Sequence, residues 1–213
     1  MTIQKPIGIF GGTFDPIHKA HLTIAEYVFK TLDFQEVRFI PCHQPPHRST
    51  PKASAKDRLA MLKLAIKPYP GFVVDDLELK RTDPSYTVET LRALRKELGQ
   101  LPFCFILGKD AFALFNQWKD WKLILTLTHL IVINRPETEL PQAGWMDNLL
   151  KHHEIHNPKL LQVKAAGFIY QLSLPPLAIS ATTIRKQLIN SHLTMNDVPS
   201  SVLDYIHQHT LYQ

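Results

Sequence analysis

The chain has 213 residues, 45% of them apolar and 20% charged, and its 24 Lys plus Arg exceed its 19 Asp plus Glu by a formal +5. This length and composition suit a soluble globular protein with a sizeable core, expected as a single domain over 1–213 with a helical C-terminal portion from about residue 179. The basic residues are dispersed and no apolar run could span a bilayer or form a signal peptide. No nucleic-acid or membrane partner is therefore expected, a cytoplasmic setting is, and an anionic small substrate suffices to explain the charge.

The first element is an apolar run, Ile7 to Phe10, that meets Gly11-Gly12-Thr13-Phe14-Asp15-Pro16 and then His18 and His21. It reads as a strand, a tight turn and a helix start, with Pro16 able to open the helix and the two histidines on one face of its first turn. Free amides and the positive end of a helix dipole favour an anion there, with a polyphosphate as the natural cargo. The plainer alternative is a sharp turn with two solvated histidines. Leu22, Ala25, Val28, Phe29 and Leu32 carry the helical period onward, and Glu36 to Pro41 reads as a second strand, completing a βαβ unit.

A Pro-rich basic loop follows, Pro41 to Lys52, holding His43, His47 and Arg48. Cys42 in this loop and Cys104 later sit in unrelated contexts, so reduced structural thiols are expected. The spacing predicts a helix over Ala55 to Ile66 and a strand over Phe72 to Leu79. Pro84-Ser85-Tyr86-Thr87 then opens a helix carrying Val88, Leu91, Leu94 and Leu98 and ended by Gly99, either a place where amides face outward or simply a well-capped helix.

Pro102 to Leu107 reads as a buried strand whose carboxyl end carries Gly108-Lys109-Asp110, where Asp110 can meet a ribose hydroxyl or merely begin a helix. Phe112, Phe115, Trp118 and Trp121 at helical spacing read as core. His129 to Asn134 is a further strand ending at Arg135-Pro136, after which periodicity weakens over 137–166, read as surface excursions. His152-His153-Glu154-Ile155-His156 falls in that stretch but lacks the H-E-x-x-H arrangement of a zinc site, so solvated histidines are expected.

Phe168 to Leu172 is read as the last strand. Ile179-Ser180-Ala181-Thr182-Thr183-Ile184-Arg185 follows, with Ser180 as N-cap and Ala181, Ile184 and Leu188 as the buried stripe. Hydroxyls and Arg185 at one helix start make a second anion site or an ordinary capped basic helix, and a final helix runs from about Pro199 to His209. Strands alternating with helices imply an α/β fold, an open, mainly parallel Rossmann-like sheet with helices on both faces. G-x-x-x-x-G-K-[ST] and G-x-G-x-x-G are absent, which argues against a P-loop kinase and an ordinary dinucleotide oxidoreductase.

Five elements taken together are more specific: G-G-T-F-D-P-x-H-x-x-H from Gly11, P-P-H-R from Pro45, P-S-Y-T-x-x-T-L from Pro84, G-x-D from Gly108 and I-S-A-T-x-I-R from Ile179. In this order, over nearly the whole chain, they resemble the bacterial nicotinate-nucleotide adenylyltransferases of the H-x-G-H nucleotidyltransferase superfamily. One position departs, Ala20 standing where that family usually has Gly.

The resemblance implies a five- or six-stranded sheet and transfer of the adenylyl group of ATP to nicotinate mononucleotide. It implies catalytic roles for His18, His21 and Arg185, and ATP binding by Gly11, Gly12, Thr13, Phe14, Gly108, Asp110, Ser180 and Thr182. Nicotinate mononucleotide would be held by Tyr86, Thr87, Trp118, Arg135 and His47, with the pyridine ring stacked on Trp118. No metal ligands are implied on the protein, and Mg2+ would be carried mainly by the ATP phosphates. Two other readings stay open: a pantetheine-phosphate adenylyltransferase, and a sensor that binds a nucleotide without turning it over, which Ala20 would suit.

Overall fold

The opening apolar run forms strand β1 (Ile7–Gly12), followed by helix α1 (Lys19–Thr31) and strand β2 (Glu36–Pro41). β1 and β2 pair in parallel with Ile7 opposite Glu36 and Gly12 opposite Pro41, the expected βαβ unit. The structure, a computed structural model, describes residues 4–45, 50–134, 144–175, 177–190 and 197–213. Helix α2 (Ala55–Ile66), strand β3 (Phe72–Val74), helix α3 (Thr87–Leu98) and strand β4 (Phe103–Gly108) come next. Short helices α4 (Lys109–Ala113) and α5 (Trp121–Leu127) lead to strand β5 (His129–Asn134). Helix α6 (Gly144–His153), strands β6 (Glu154–Ile155) and β7 (Ile169–Ser173), and helices α7 (Ala181–Ile189) and α8 (Ser200–Gln208) complete the order.

The strands form one parallel sheet in the order β3-β2-β1-β4-β5-β7-β6. This is the open Rossmann-like α/β sheet the alternation predicts, with seven strands rather than five or six because two-residue β6 adds an edge. Both faces are covered. Phe10, Cys104, Ile106, Ile131 and Ile133 pack toward α1, α2, α7 and α8. Their sequence neighbours Ile9, Phe103, Phe105, Leu130 and Val132 pack toward α3, α4, α5 and α6. Side chains alternate across a strand, so near-continuous apolar runs in β4 and β5 feed two cores at once. Cys42 and Cys104 are buried thiols, not joined in a disulfide.

Three local expectations are corrected. Pro16 lies in the turn, and α1 begins at Lys19 with His18 in extended conformation as its N-cap. The strand expected over Phe72 to Leu79 stops at Val74, because the Asp75 carboxylate captures the Leu77 amide at 3.0 Å and the Leu79 amide turns back to the Asp76 carbonyl. An Asx turn of this kind offers the backbone an alternative to the ladder.

The stretch read as surface excursions contains α6 and β6. Only Met146 of α6 is buried, and Trp145 docks on Trp121 and Phe112 with ring centroids 5.5 and 6.3 Å away. Tertiary aromatic contacts hold this helix, so its own periodicity is faint. Of the histidines there, His152 bonds the Asn148 carbonyl and half-buried His153 the Gly167 carbonyl.

Candidate active site

The winding of the sheet reverses between β1 and β4, and crossovers leave their carboxyl ends in opposite directions at that point. In open α/β sheets such a switch point leaves a crevice. Here a cleft of about 830 Å3 opens there. Its walls carry Gly11, Gly12, Thr13, Phe14, His18 and His21 from the β1–α1 junction, and Gly108 and Asp110 from the end of β4. Ser180, Thr182 and Arg185 of α7 face them, with Tyr86, Thr87 and Trp118 completing the lining. Elements scattered from residue 11 to residue 185 thus meet in one place, while His47 and Arg135 lie outside the described residues.

The β1–α1 turn is held rigidly from behind. Phe14 sits at φ 48° with its ring buried against Gly12, where a Cβ would come within 2.9 Å of it, so only glycine fits. Fully buried Arg58 donates to the Thr13 carbonyl at 2.8 Å, and Arg185 donates to the Asp15 carbonyl at 2.6 Å. The buried Asp15 carboxylate accepts the Lys52 amide at 2.7 Å, the Ala53 amide at 3.0 Å and the Tyr212 hydroxyl at 2.7 Å. Burial, then the bond to Asp15, push the Tyr212 phenol far up from its ordinary range, so it stays a donor.

At the helix start the His18 amide donates to Nδ1 of His21 at 3.3 Å, and the two rings stack with centroids 3.7 Å apart. A ring nitrogen that accepts cannot carry the proton, so neutral His21 holds it on Nε2. The amides of Lys19, His21 and Leu22 are spent on the carbonyls of Asp197 and His18. The anion-binding capacity expected of this junction therefore rests more on its side chains than on its amides. Ala20 is 1% exposed in the floor of the cleft.

Helix α7 presents the complementary donors. Ser180 caps it, its Oγ accepting the Thr183 amide at 3.2 Å, and the amides of Ala181 and Thr182 have no intrahelical acceptor. Arg185 divides its guanidinium between the Asp15 carbonyl and Thr182 Oγ1, the latter at 3.3 Å, tying α7 to the β1–α1 turn in the cleft wall. Of its expected buried stripe, Ile184 is fully buried, whereas Ala181 and Leu188 are only half-buried.

The other end is aromatic. Half-buried Trp118 leans edge-on against Phe105 and tilts against Phe115 at 5.6 Å. Tyr86 precedes α3 as its N-cap, leaving the Thr87 and Val88 amides without intrahelical acceptors. Lys119 Nζ lies 4.6 Å above the Tyr86 ring and 3.3 Å from Glu89. Buried Glu78 also lines this end, its carboxyl pushed up by desolvation against bonds from Thr90 and Ser85.

Asp15, Arg58, Glu78, Ser85 and Lys119 are the site residues that sequence reasoning did not single out. Asp15 stands inside the quoted G-G-T-F-D-P motif, which was signal enough, whereas Glu78 falls in a segment read as strand. Among the described residues no three of His, Cys, Asp and Glu stand close enough together to hold a metal ion.

A parallel sheet of this order, with a glycine turn and histidine pair facing a basic helix start across the switch point, defines a nucleotidyltransferase. Residues 9–187 match the cytidylyltransferase-like family. A Coxiella burnetii protein named "Probable nicotinate-nucleotide adenylyltransferase" is 46% identical over 210 residues, covering 97% of this chain and 98% of its own. One of the same name from Aeromonas salmonicida is 42% identical over 211 residues, 99% of each chain. The chain belongs to the nicotinate-nucleotide adenylyltransferase family. The fold is shared with Plasmodium falciparum nicotinic acid mononucleotide adenylyltransferase complexed with NaAD, at TM-score 0.75 and 23% identity over 98% of this chain and 97% of that one.

Proposed function

We propose that this chain transfers the adenylyl group of ATP to nicotinate mononucleotide, giving nicotinate adenine dinucleotide and pyrophosphate, as a cytoplasmic step of NAD biosynthesis. The observation that carries this reading is a single cleft with two chemically different ends. Histidines, hydroxyls and Arg185 gather at one, and Trp118, Tyr86 and the first amides of α3 at the other.

A phosphate monoester with a second pKa of about 6 is already largely a dianion at neutral pH, so its oxygen can attack the α-phosphorus without a general base. Positioning and charge neutralisation are the tasks left to the protein. In this reading His18 and His21 take up charge on the transferring group, His21 through Nε2–H, while Ser180, Thr182 and Arg185 hold the outer phosphates as pyrophosphate leaves in line. Gly11 to Phe14 and Gly108 pack against the nucleotide, and Asp110 meets a ribose hydroxyl.

Magnesium, when bound, would be carried on the polyphosphate beside Ser180, Thr182 and Arg185 and would lower the charge of the leaving group, drawing few oxygens from the protein. At the aromatic end the pyridine ring lies on Trp118 and its carboxylate accepts from the Thr87 amide. A carboxylate suits such a donor better than a carboxamide, which brings its own NH2.

Pyrophosphate release from ATP and Mg2+, with nicotinate mononucleotide, nicotinamide mononucleotide and phosphopantetheine as parallel acceptors, tests the reading. Release chiefly with the nicotinate acceptor is expected. Equal kcat/KM for acid and amide would overturn the assignment of Tyr86, Thr87 and Trp118. Release with phosphopantetheine alone would move the chain to another branch, and silence with all three would leave a nucleotide-binding role.

A further inference from the structure

Glu78 is a buried carboxylate in the wall of the acceptor end, and every polar contact around it has a direction. Thr90 Oγ1 of α3 donates to Glu78 Oε1 at 2.6 Å, and the Ser85 hydroxyl bonds the same carboxyl group. Each hydroxyl has a single proton and its oxygen accepts a bond from elsewhere, which leaves that proton for Glu78. Their lone pairs then face outward. Ser85 Oγ accepts the His43 amide at 2.9 Å, and Thr90 Oγ1 accepts from Arg81 Nη1 at 3.3 Å. A second bond, from the Ser85 amide to the Gln44 carbonyl at 2.9 Å, joins the same two segments.

We infer that Glu78 is a positioning residue for acceptor binding, holding the segment after β2 against the start of α3 by orienting the Ser85 and Thr90 hydroxyls. The inference deepens the proposed function and rests on it for the identity of the acceptor. Tyr86 and Thr87 directly follow Ser85, so a loosened Ser85 displaces the groups assigned to the pyridine ring and its carboxylate. The β1–α1 turn has its own anchors in Asp15, Arg58 and Arg185, and its bonds to the segment after β2, from the Cys42 amide to the Gly12 carbonyl at 2.9 Å and from Cys42 Sγ to Thr13 Oγ1 at 3.6 Å, do not pass through Glu78.

Glu78→Gln is the informative change, because it replaces one of two acceptor oxygens with an NH2 that itself needs an acceptor among groups already donating to this site. Thr90→Val and Ser85→Ala remove one hydroxyl each, and Thr90→Ser restores the hydroxyl. Calorimetric binding and KM are measured for nicotinate mononucleotide and, separately, for ATP or a non-hydrolysable analogue. The expected result is acceptor Kd and KM raised about fivefold to tenfold in the first three variants, with Thr90→Ser and all ATP constants within about twofold of wild type.

Equal weakening of both substrates, or of neither, would overturn the inference. Amide hydrogen exchange reads the same clamp without any acceptor, with faster exchange expected at 42–45 and 85–87 in Glu78→Gln and none at 11–16. Unchanged exchange at 42–45 would sink the inference, whereas failure of the wild-type chain to use nicotinate mononucleotide would sink only the assigned acceptor.

Discussion

The two edges of the sheet bury polar side chains in opposite ways. At the amino edge, Arg95 of α3 gives its donors to the carbonyls of Gly99, Leu101, Leu127 and Ala165, with its guanidinium 4.0 Å above the Phe103 ring. Fully buried His129 holds the Lys164 carbonyl at 2.9 Å through Nε2 and accepts the Phe168 amide at 3.0 Å on Nδ1. Thr128 Oγ1 closes on the carbonyls of Phe103 and His129. These groups spend their bonding capacity on the main chain and have nothing left for a ligand.

At the carboxyl edge the side chains are fixed on the walls of the cleft. His21 fixes its ring by accepting the His18 amide on Nδ1, and Arg185 anchors to Asp15 and Thr182, while both line the cleft. Burial and polarity alone do not mark function. The distinguishing feature is a side chain fixed in place by its neighbours and lining a cleft, which is what electrostatic preorganisation requires.

The contrast is broken most directly by removing one member from each edge. His21→Ala is expected to lower kcat for pyrophosphate release about 100-fold, about 3 kcal/mol of transition-state stabilisation, with little change in melting temperature. A loss under about threefold would mean that His21 is structural in the manner of His129. Arg95→Met should do the reverse, costing about 2 kcal/mol in urea unfolding through stranded carbonyls while kcat stays near wild type. A large kcat effect from Arg95→Met would erase the distinction between the edges.

The amino edge also carries a pH signature. Burial lowers the pKa of His129 from 6.5 to about 4, so the folded protein holds the neutral ring more strongly than the unfolded chain does. A depressed histidine contributes stability that is complete above its unfolded pKa and is lost as pH falls toward the folded value. Between pH 7.5 and 5, unfolding free energy should fall by about 2 kcal/mol from this group, and His129→Gln should flatten that slope. A slope unchanged in the variant would assign the acid sensitivity elsewhere.

How far the sequence spoke for each edge follows from how local the determinants are. The strand–turn–helix at Gly11 to His21 and the Ser180 cap were legible because adjacent residues define them, and every described residue assigned to the site lines the cleft. Glu78 was not, since its partners Ser85 and Thr90 belong to a later loop and helix and an Asx turn at Asp75 had to end the strand first. α6 escaped notice because Trp145 packs on aromatic rings from α4 and α5 rather than on a periodic stripe of its own helix. Asp15 was visible as a motif residue, but its burial and its contact with Tyr212, 197 positions away, depend on the folded chain.

That contact yields the smallest effect and the finest test. Tyr212 adopts a left-handed φ of 64°, uncommon for a residue with a Cβ, and its phenol reaches the Asp15 carboxylate at 2.7 Å. Asp15 is the residue whose carbonyl anchors Arg185, so the segment after α8 braces the β1–α1 turn and α7 from outside the cleft. Tyr212→Phe keeps the ring and removes one hydrogen bond to a charged acceptor, about 1.5 kcal/mol of stability. It should also raise KM for ATP about threefold and leave KM for the acceptor unchanged, the mirror image of Glu78→Gln. If both KM values moved together, the two ends of the cleft would be mechanically one, and the carboxyl edge would be as closed a network as the amino edge.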